Sequence, residues 1–136
     1  MKSFQILEHP TDLKIKVRGR TLAELFKNAG LALFRSIDSR ELLPKAAGEW
    51  REIRVESADQ ESLLVDWLNE LIGIHEVEKE NYFNIEILKL TKNSVKTKIR
   101  GIASMADRFD VKAATYHDLE IKKNKGGFEA VVLFDI

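Results

Sequence analysis

The chain of 136 residues has no cysteine, only two prolines, two tryptophans and two tyrosines, and no excess of either charge. Each scarcity closes off a class of function. Without cysteine there are no disulfides, no thiolate nucleophile and no zinc–thiolate cluster, which fits a reducing compartment such as the cytoplasm. No apolar run approaches the ~20 residues of a membrane-spanning helix. The opening stretch Met1 to Asp12 also lacks the apolar centre of a secretory signal. A cytoplasmic protein with no membrane partner is therefore expected. Lys plus Arg number 22, as do Asp plus Glu, so the formal net charge is zero, which counts against a general nucleic-acid binder.

Several catalytic signatures are missing too. There is no GxxxxGK[ST] loop or GxGxxG turn to cradle phosphates, no GxSxG elbow and no HExxH helix. The three histidines, His9, His75 and His117, are scattered. His75 reads as either a surface residue or a C-terminal helix residue, where the macrodipole favours it.

What is present describes an ordinary globular chain, 44% hydrophobic and 32% charged, of a size suited to one domain spanning residues 1–136. Phe4 and Ile6, then Leu13, Ile15 and Val17, alternate with polar residues and predict two short strands around a turn at His9-Pro10-Thr11. Thr21 and Glu24 form a capping box, and Leu22, Leu25, Phe26, Ala29, Leu33, Phe34 and Ile37 follow at helical spacing, predicting a helix over about residues 22–37. Asp38 to Gly48 reads as a surface connection. Trp50, Ile53 and Val55 suggest a strand. Ser57-Ala58-Asp59-Gln60 reads as a second capping box, ahead of an apolar stripe formed by Leu63, Leu64, Trp67, Leu68, Leu71, Ile74 and Val77.

The remainder is mostly strand. Phe83, Ile85 and Ile87 lie in one phase, Leu88 and Leu90 in the other, which predicts a bulge near Ile87. Asn93 is a turn candidate before Val95, Thr97 and Ile99, whose opposite face carries Lys96, Lys98 and Arg100. Ala103 to Asp110 reads as a loop. His117, Leu119 and Ile121 continue as a strand, with a helical turn over alanine-rich Val111 to Thr115 as the alternative. Asn124 to Gly127 has hairpin chemistry before a last strand from Phe128 to Phe134. These elements make an α+β fold: a mainly antiparallel sheet with two helices packed on one face.

Charge is distributed unevenly. Between Asn84 and Lys125 ten basic side chains face five acidic ones. No aromatic stacking motif accompanies them, so a solvated strand surface is favoured over a nucleic-acid interface. Lys96, Lys98 and Arg100 read best as gatekeepers that protect an exposed edge strand.

Two places could carry chemistry. One is His9-Pro10-Thr11-Asp12, polar groups at a turn. The other is Val131-Val132-Leu133-Phe134-Asp135-Ile136, strand-like to its last residue. Were Asp12 to lie beside that end, the Asp12 and Asp135 carboxylates and the α-carboxylate of Ile136 would converge. Oxygen-rich sites of this kind hold hard dications. The alternative is a pair of turn-capping aspartates with no metal.

The chain resembles the archease family. The resemblance is carried by His9-Pro10-Thr11-Asp12, by Thr21-Leu22-Ala23-Glu24-Leu25-Phe26 with Ala29 to Phe34, and by Leu64-Val65-Asp66-Trp67-Leu68-Asn69-Glu70-Leu71. Val111-Lys112-Ala113-Ala114-Thr115-Tyr116-His117-Asp118-Leu119-Glu120-Ile121 and the terminal Val-Leu-Phe-Asp-Ile complete it. It implies an accessory protein, not an enzyme, that promotes guanylylation and repeated turnover of an RtcB-type RNA-splicing ligase. That ligase joins RNA ends using GTP and Mn²⁺, so RNA is reached through the ligase. The resemblance further implies a divalent cation, Ca²⁺ foremost with Mg²⁺ or Mn²⁺ as alternatives, at Asp12, Asp135 and Ile136. His9, Lys112, Tyr116 and His117 are candidates for a docking surface. This sequence departs from the family at the first motif, where Pro10, Thr11, Leu13 and Lys14 replace the usual residues, and lacks a histidine within Asp107 to Asp110. Two other readings are a metal-dependent phosphoesterase using the same carboxylates with His9 or His117 as base, and a chaperone-like RNA-binding module.

Overall fold

A computed structural model describes residues 3–8, 12–40 and 48–136, Glu8 through its backbone alone. The expected turn at His9-Pro10-Thr11, the docking candidate His9 and most of the Asp38 to Gly48 connection fall outside the described residues.

Among the described residues two helices and eight strands follow in the order β1 Phe4–Glu8, β2 Asp12–Gly19, α1 Leu22–Ile37, β3 Arg51–Glu56, α2 Gln60–Glu78, β4 Glu80–Leu90, β5 Ser94–Ala103, β6 Ala113–Thr115, β7 Lys122–Asn124 and β8 Gly127–Asp135. All pairings are antiparallel, so the α+β expectation is met. The strands divide between two sheets. The larger runs β1-β2-β8-β6, with β7 also on β8, and the smaller runs β3-β5-β4.

Helix α1 begins and ends where its apolar period does. The Thr21 hydroxyl accepts from the Glu24 N–H at 3.1 Å, and the Glu24 carboxylate turns back to the Arg20 N–H at 3.3 Å. Leu25, Phe26, Ala29, Leu33, Phe34 and Ile37 are buried. The helix packs on β2 and β8 of one sheet and β4 of the other. At Gly30 a Cβ would come within 2.8 Å of both Trp67 and Ile85 side-chain atoms, so glycine allows α1 close to α2 and β4.

Helix α2 starts two residues later than its proposed box. Asp59 is the cap, accepting from the Ser62 N–H at 2.8 Å, because Ser57 turns away to donate to the Asp66 carboxylate. Leu63, Leu64, Trp67, Leu68 and Leu71 are buried, and the Trp67 indole N–H donates to the Thr97 hydroxyl at 3.0 Å, tying α2 to β5. His75 lies in the last turn of α2, as its helix-terminal reading has it, and is buried rather than on the surface. Its Nδ1 donates to the Glu80 carbonyl at 2.7 Å across the turn into β4.

Strand β4 carries the expected bulge at Ile87 to Lys89 and a second irregularity at Tyr82 to Asn84. The gatekeeper reading of Lys96, Lys98 and Arg100 fails, because β5 is flanked by β3 and β4 and is the central strand of its sheet. One alternative and one further expectation are overturned. Ala113–Thr115 is strand β6, not a helical turn. His117 to Ile121 is not a strand: His117 and Asp118 form a turn, with the Leu119 N–H bonded to the Tyr116 carbonyl at 3.2 Å and Asp118 at φ 51°.

A charged cluster closes the C-terminal end of α1. Asp38 is fully buried and accepts from the Arg40 guanidinium at 2.6 Å, the Arg40 N–H at 3.0 Å and the Met105 N–H at 3.1 Å. Burial raises its pKa, but these donors together outweigh burial and hold it at about 2.

Candidate functional site

The outer face of the larger sheet carries the candidate site. Strands β2 and β8 pair in unbroken register from Gly19 opposite Phe128 to Asp12 opposite Asp135. Directly opposed residues of an antiparallel pair project to the same side. Their neighbours Leu13 and Phe134 are buried in the core, so the two aspartates stand on the other face. Asp12 is half-buried and Asp135 exposed. Like charges in this relation repel. Elsewhere in the same ladder opposite charges meet: Arg18 faces Glu129, and its Nε lies 3.0 Å from the Glu129 carboxylate. That neighbour holds the Glu129 carboxyl below its usual range, with Lys16 assisting.

Asp135 is held from both sides. Beyond β2, it pairs with Ala113 of β6, and its carbonyl accepts the Lys112 N–H at 2.8 Å. Ile136 follows directly and is 36% exposed. A cavity of about 410 Å³ opens beside the pair, lined by Asp12, Lys14, His117, Asp118, Val131 and Leu133. In it the His117 Nε2 stands 3.1 Å from the Asp118 carboxylate. The turn that replaces the expected strand is thus what puts His117 near Asp12.

The segment carrying Lys112, Tyr116 and His117 is tethered to α2. Strand β6 is three residues long, and the Asn69 side chain acts as its further partner: Asn69 Nδ2 donates to the Ala114 carbonyl at 3.1 Å, and Oδ1 accepts the Ala114 N–H at 2.8 Å. The Tyr116 hydroxyl donates to the Asp66 carboxylate, which raises the pKa of this exposed phenol. Glu61 accepts the Ile121 N–H at 3.1 Å. Sequence reasoning does not single out Asp66, Asn69 and Asp118 as site residues. The spacing of Asp66 and Asn69, three apart on the polar side of a helix, is the available signal.

The donor set suits a hard cation. Among the described residues no three His, Cys, Asp or Glu side chains cluster as a metal centre. A dication here would take the Asp12 and Asp135 carboxylates and fill its shell with further oxygens, which Ca²⁺ and Mg²⁺ accept.

The sequence profile of the Archease protein family matches residues 4–136. This chain belongs to the archease family. A protein archease from Methanosarcina mazei is 36% identical over 144 aligned positions, covering 99% of this chain and 97% of the relative. One from Methanothermobacter thermautotrophicus is 33% identical with 100% of both chains covered. The solution structure of Methanobacterium thermoautotrophicum protein 1598 superposes with a TM-score of 0.77 at 30% identity over 100% of both chains. The crystal structure of an archease from Thermotoga maritima shares the fold, with a TM-score of 0.68 at 22% identity over 96% of this chain and 94% of the other. No helix among the described residues is long and apolar enough to cross a membrane.

Proposed function

We propose that this archease is a non-enzymatic accessory protein that promotes guanylylation and repeated turnover of an RtcB-type RNA ligase, acting in the cytoplasm. The observation that carries the reading is the register that sets Asp12 against Asp135 at one end of the β2–β8 ladder. Two carboxylates opposed in this way gain from a shared dication. On this reading Asp12, Asp135 and the carboxylate end of Ile136 bind it as calcium, magnesium or manganese. A cation held there neutralises phosphate charge during nucleotidyl transfer. Lys14, on the same outer face, limits the net negative charge of the site. Lys112, Tyr116 and His117 form the docking surface around it, kept in position by Asn69 and Asp66 of α2.

The test is multiple-turnover ligation with the cognate ligase in catalytic amount. Product should rise with added archease, fall with chelator and recover on metal replacement. Asp12→Ala and Asp135→Ala should lose stimulation while keeping the wild-type circular dichroism spectrum. Equal product with and without the protein, across metals, would refute the role. The pairing of His117 with Asp118 beside the carboxylates favours one competing reading, a metal-dependent phosphoesterase. Phosphoester turnover by the protein alone, lost in His117→Ala, would establish it.

A further inference from the structure

The smaller sheet turns a second charged surface outward, and its composition differs from that of the carboxylate face. Arg54 of β3, Lys96 of β5 and Lys89 of β4 are direct cross-strand partners, Arg54 opposite Lys96 and Lys96 opposite Lys89. Three cations from three strands thus stand in one row. Like charges directly opposed in a ladder are unfavourable. Lys96 has one acid nearby, Glu52 at 3.6 Å, while Arg54 and Lys89 have no ion-pair partner among the described residues. In the next rows Lys98 reaches Glu86 at 3.4 Å, and the buried Nε of Arg100 lacks a hydrogen-bond partner.

Trp50 adds an aromatic platform to this face. It lies one residue before β3, is 36% exposed, and has the Lys98 ammonium 4.4 Å and the Arg100 guanidinium 4.3 Å from its ring centroid. The two grounds for treating these cations as a bland strand surface both fail here. Strand β5 is no edge that needs protecting, and an aromatic side chain does accompany the cations, brought from a distant part of the sequence by the β3–β5 pairing.

We infer that the outer face of the β3-β5-β4 sheet binds single-stranded RNA, with Arg54, Lys96 and Lys89 along the phosphates and Trp50 beneath a base. The acids on the face, Glu52, Glu56 and Glu86, leave it with net positive charge against the five cations Arg54, Lys89, Lys96, Lys98 and Arg100. Surface ion pairs such as Lys96–Glu52 are weak, so a phosphate can compete for the lysine. A base stacked on Trp50 replaces a cation over the ring, and the displaced lysine or arginine is then available to a phosphate. A row of cations plus an aromatic platform is how sequence-tolerant single-strand binders work. A duplex offers phosphates but no free base face, and an acidic peptide offers charge but nothing to stack.

The inference is independent of the ligase reading, and its test uses this protein alone. A dye-labelled oligouridine is titrated with the full chain, read by fluorescence anisotropy at several salt concentrations. Affinity should fall as salt rises, and replacing Arg54, Lys89 or Lys96 by alanine should lower the log–log slope by about 0.7 each. Trp50→Ala should weaken binding by about tenfold without changing the slope. Both tryptophans fluoresce, but Trp67 is buried, so RNA-dependent quenching should vanish in Trp50→Ala. Thermal melts should show every variant folded, with those that remove a cation of the row no less stable than wild type. Absence of binding at low salt, or binding indifferent to the row, would overturn the proposal. Equal affinity for oligouridine, an RNA duplex and polyglutamate, with no dependence on Trp50, would also overturn it in favour of a general polyanion surface.

Discussion

The two sheets break the same rule with opposite signs. On the larger, the ladder sets Asp12 against Asp135; on the smaller, it sets Arg54 and Lys89 against Lys96. Away from these rows the rule is kept, as where Arg18 meets Glu129. A chain with zero formal net charge therefore carries an anionic spot and a cationic row, each assembled from separate strands. Like-charge rows lower stability slightly, and a counter-ligand of opposite sign would relieve each. Composition hides such an arrangement, because the two sum to nothing.

The largest effect should come from breaking the core on which both sheets rest. Trp67 of α2 is fully buried, packs against the Phe26 ring of α1 and bonds to Thr97 of β5. Trp67→Ala should cost about 3–5 kcal/mol in urea denaturation. It should also speed amide exchange in β2 and β8 as well as β5; loss confined to the smaller sheet would show that the two unfold separately.

Acid sharpens the comparison next, since Asp38 is a carboxylate whose neighbours are arranged to satisfy it. Its folded pKa, about 2, lies below the ordinary 3.8. The stability it contributes is complete above the unfolded value and is lost as pH falls through the folded one. The amplitude is about 2 kcal/mol between pH 5 and pH 1. Asp38→Asn should flatten that part of the stability–pH curve, measured by chemical denaturation.

Asn69→Ala removes both hydrogen bonds to Ala114 and should cost about 1–2 kcal/mol. Amide exchange should quicken in residues 113–121 before it does in β2. The smallest change should come from the like-charge rows themselves. Without added metal, Lys96→Glu should raise stability by about 0.5 kcal/mol in thermal melts. Calcium should stabilise wild type and Lys96→Glu but not Asp12→Asn, through linkage to binding. A calcium response in all three would separate the metal from this aspartate.

Local features are legible in the sequence; those depending on strand order are not. Helix α1 has the bounds its capping box and apolar period predict, and the phase change at Ile87 marks the bulge in β4. Helix α2 is displaced at its start because Ser57 bonds Asp66 instead of capping. The gatekeeper reading of β5 fails because sheet order is set by long-range pairing, on which local alternation is silent. Residues 113–121 defeat a local reading because their backbone is satisfied by side chains of α2, which no periodicity within the segment reveals. The sequence offers the meeting of Asp12 and Asp135 only as a condition, because it depends on the pairing of β2 with β8, and Arg54, Lys89 and Lys96 likewise come from three strands whose order only the fold reveals.

The placement of β8 has a further consequence, for folding during synthesis. Strand β2 has β1 on one flank and β8 on the other, and the paired residues Arg18 and Glu129 stand 111 positions apart. As the chain leaves the ribosome, the β1–β2 hairpin must wait for nearly every other element before its inner flank is covered. Contacts this distant slow folding and leave an alternating apolar strand open to misassociation meanwhile. Helix α1, formed early and packing on β2, is the element best placed to shield the nascent hairpin until β8 arrives.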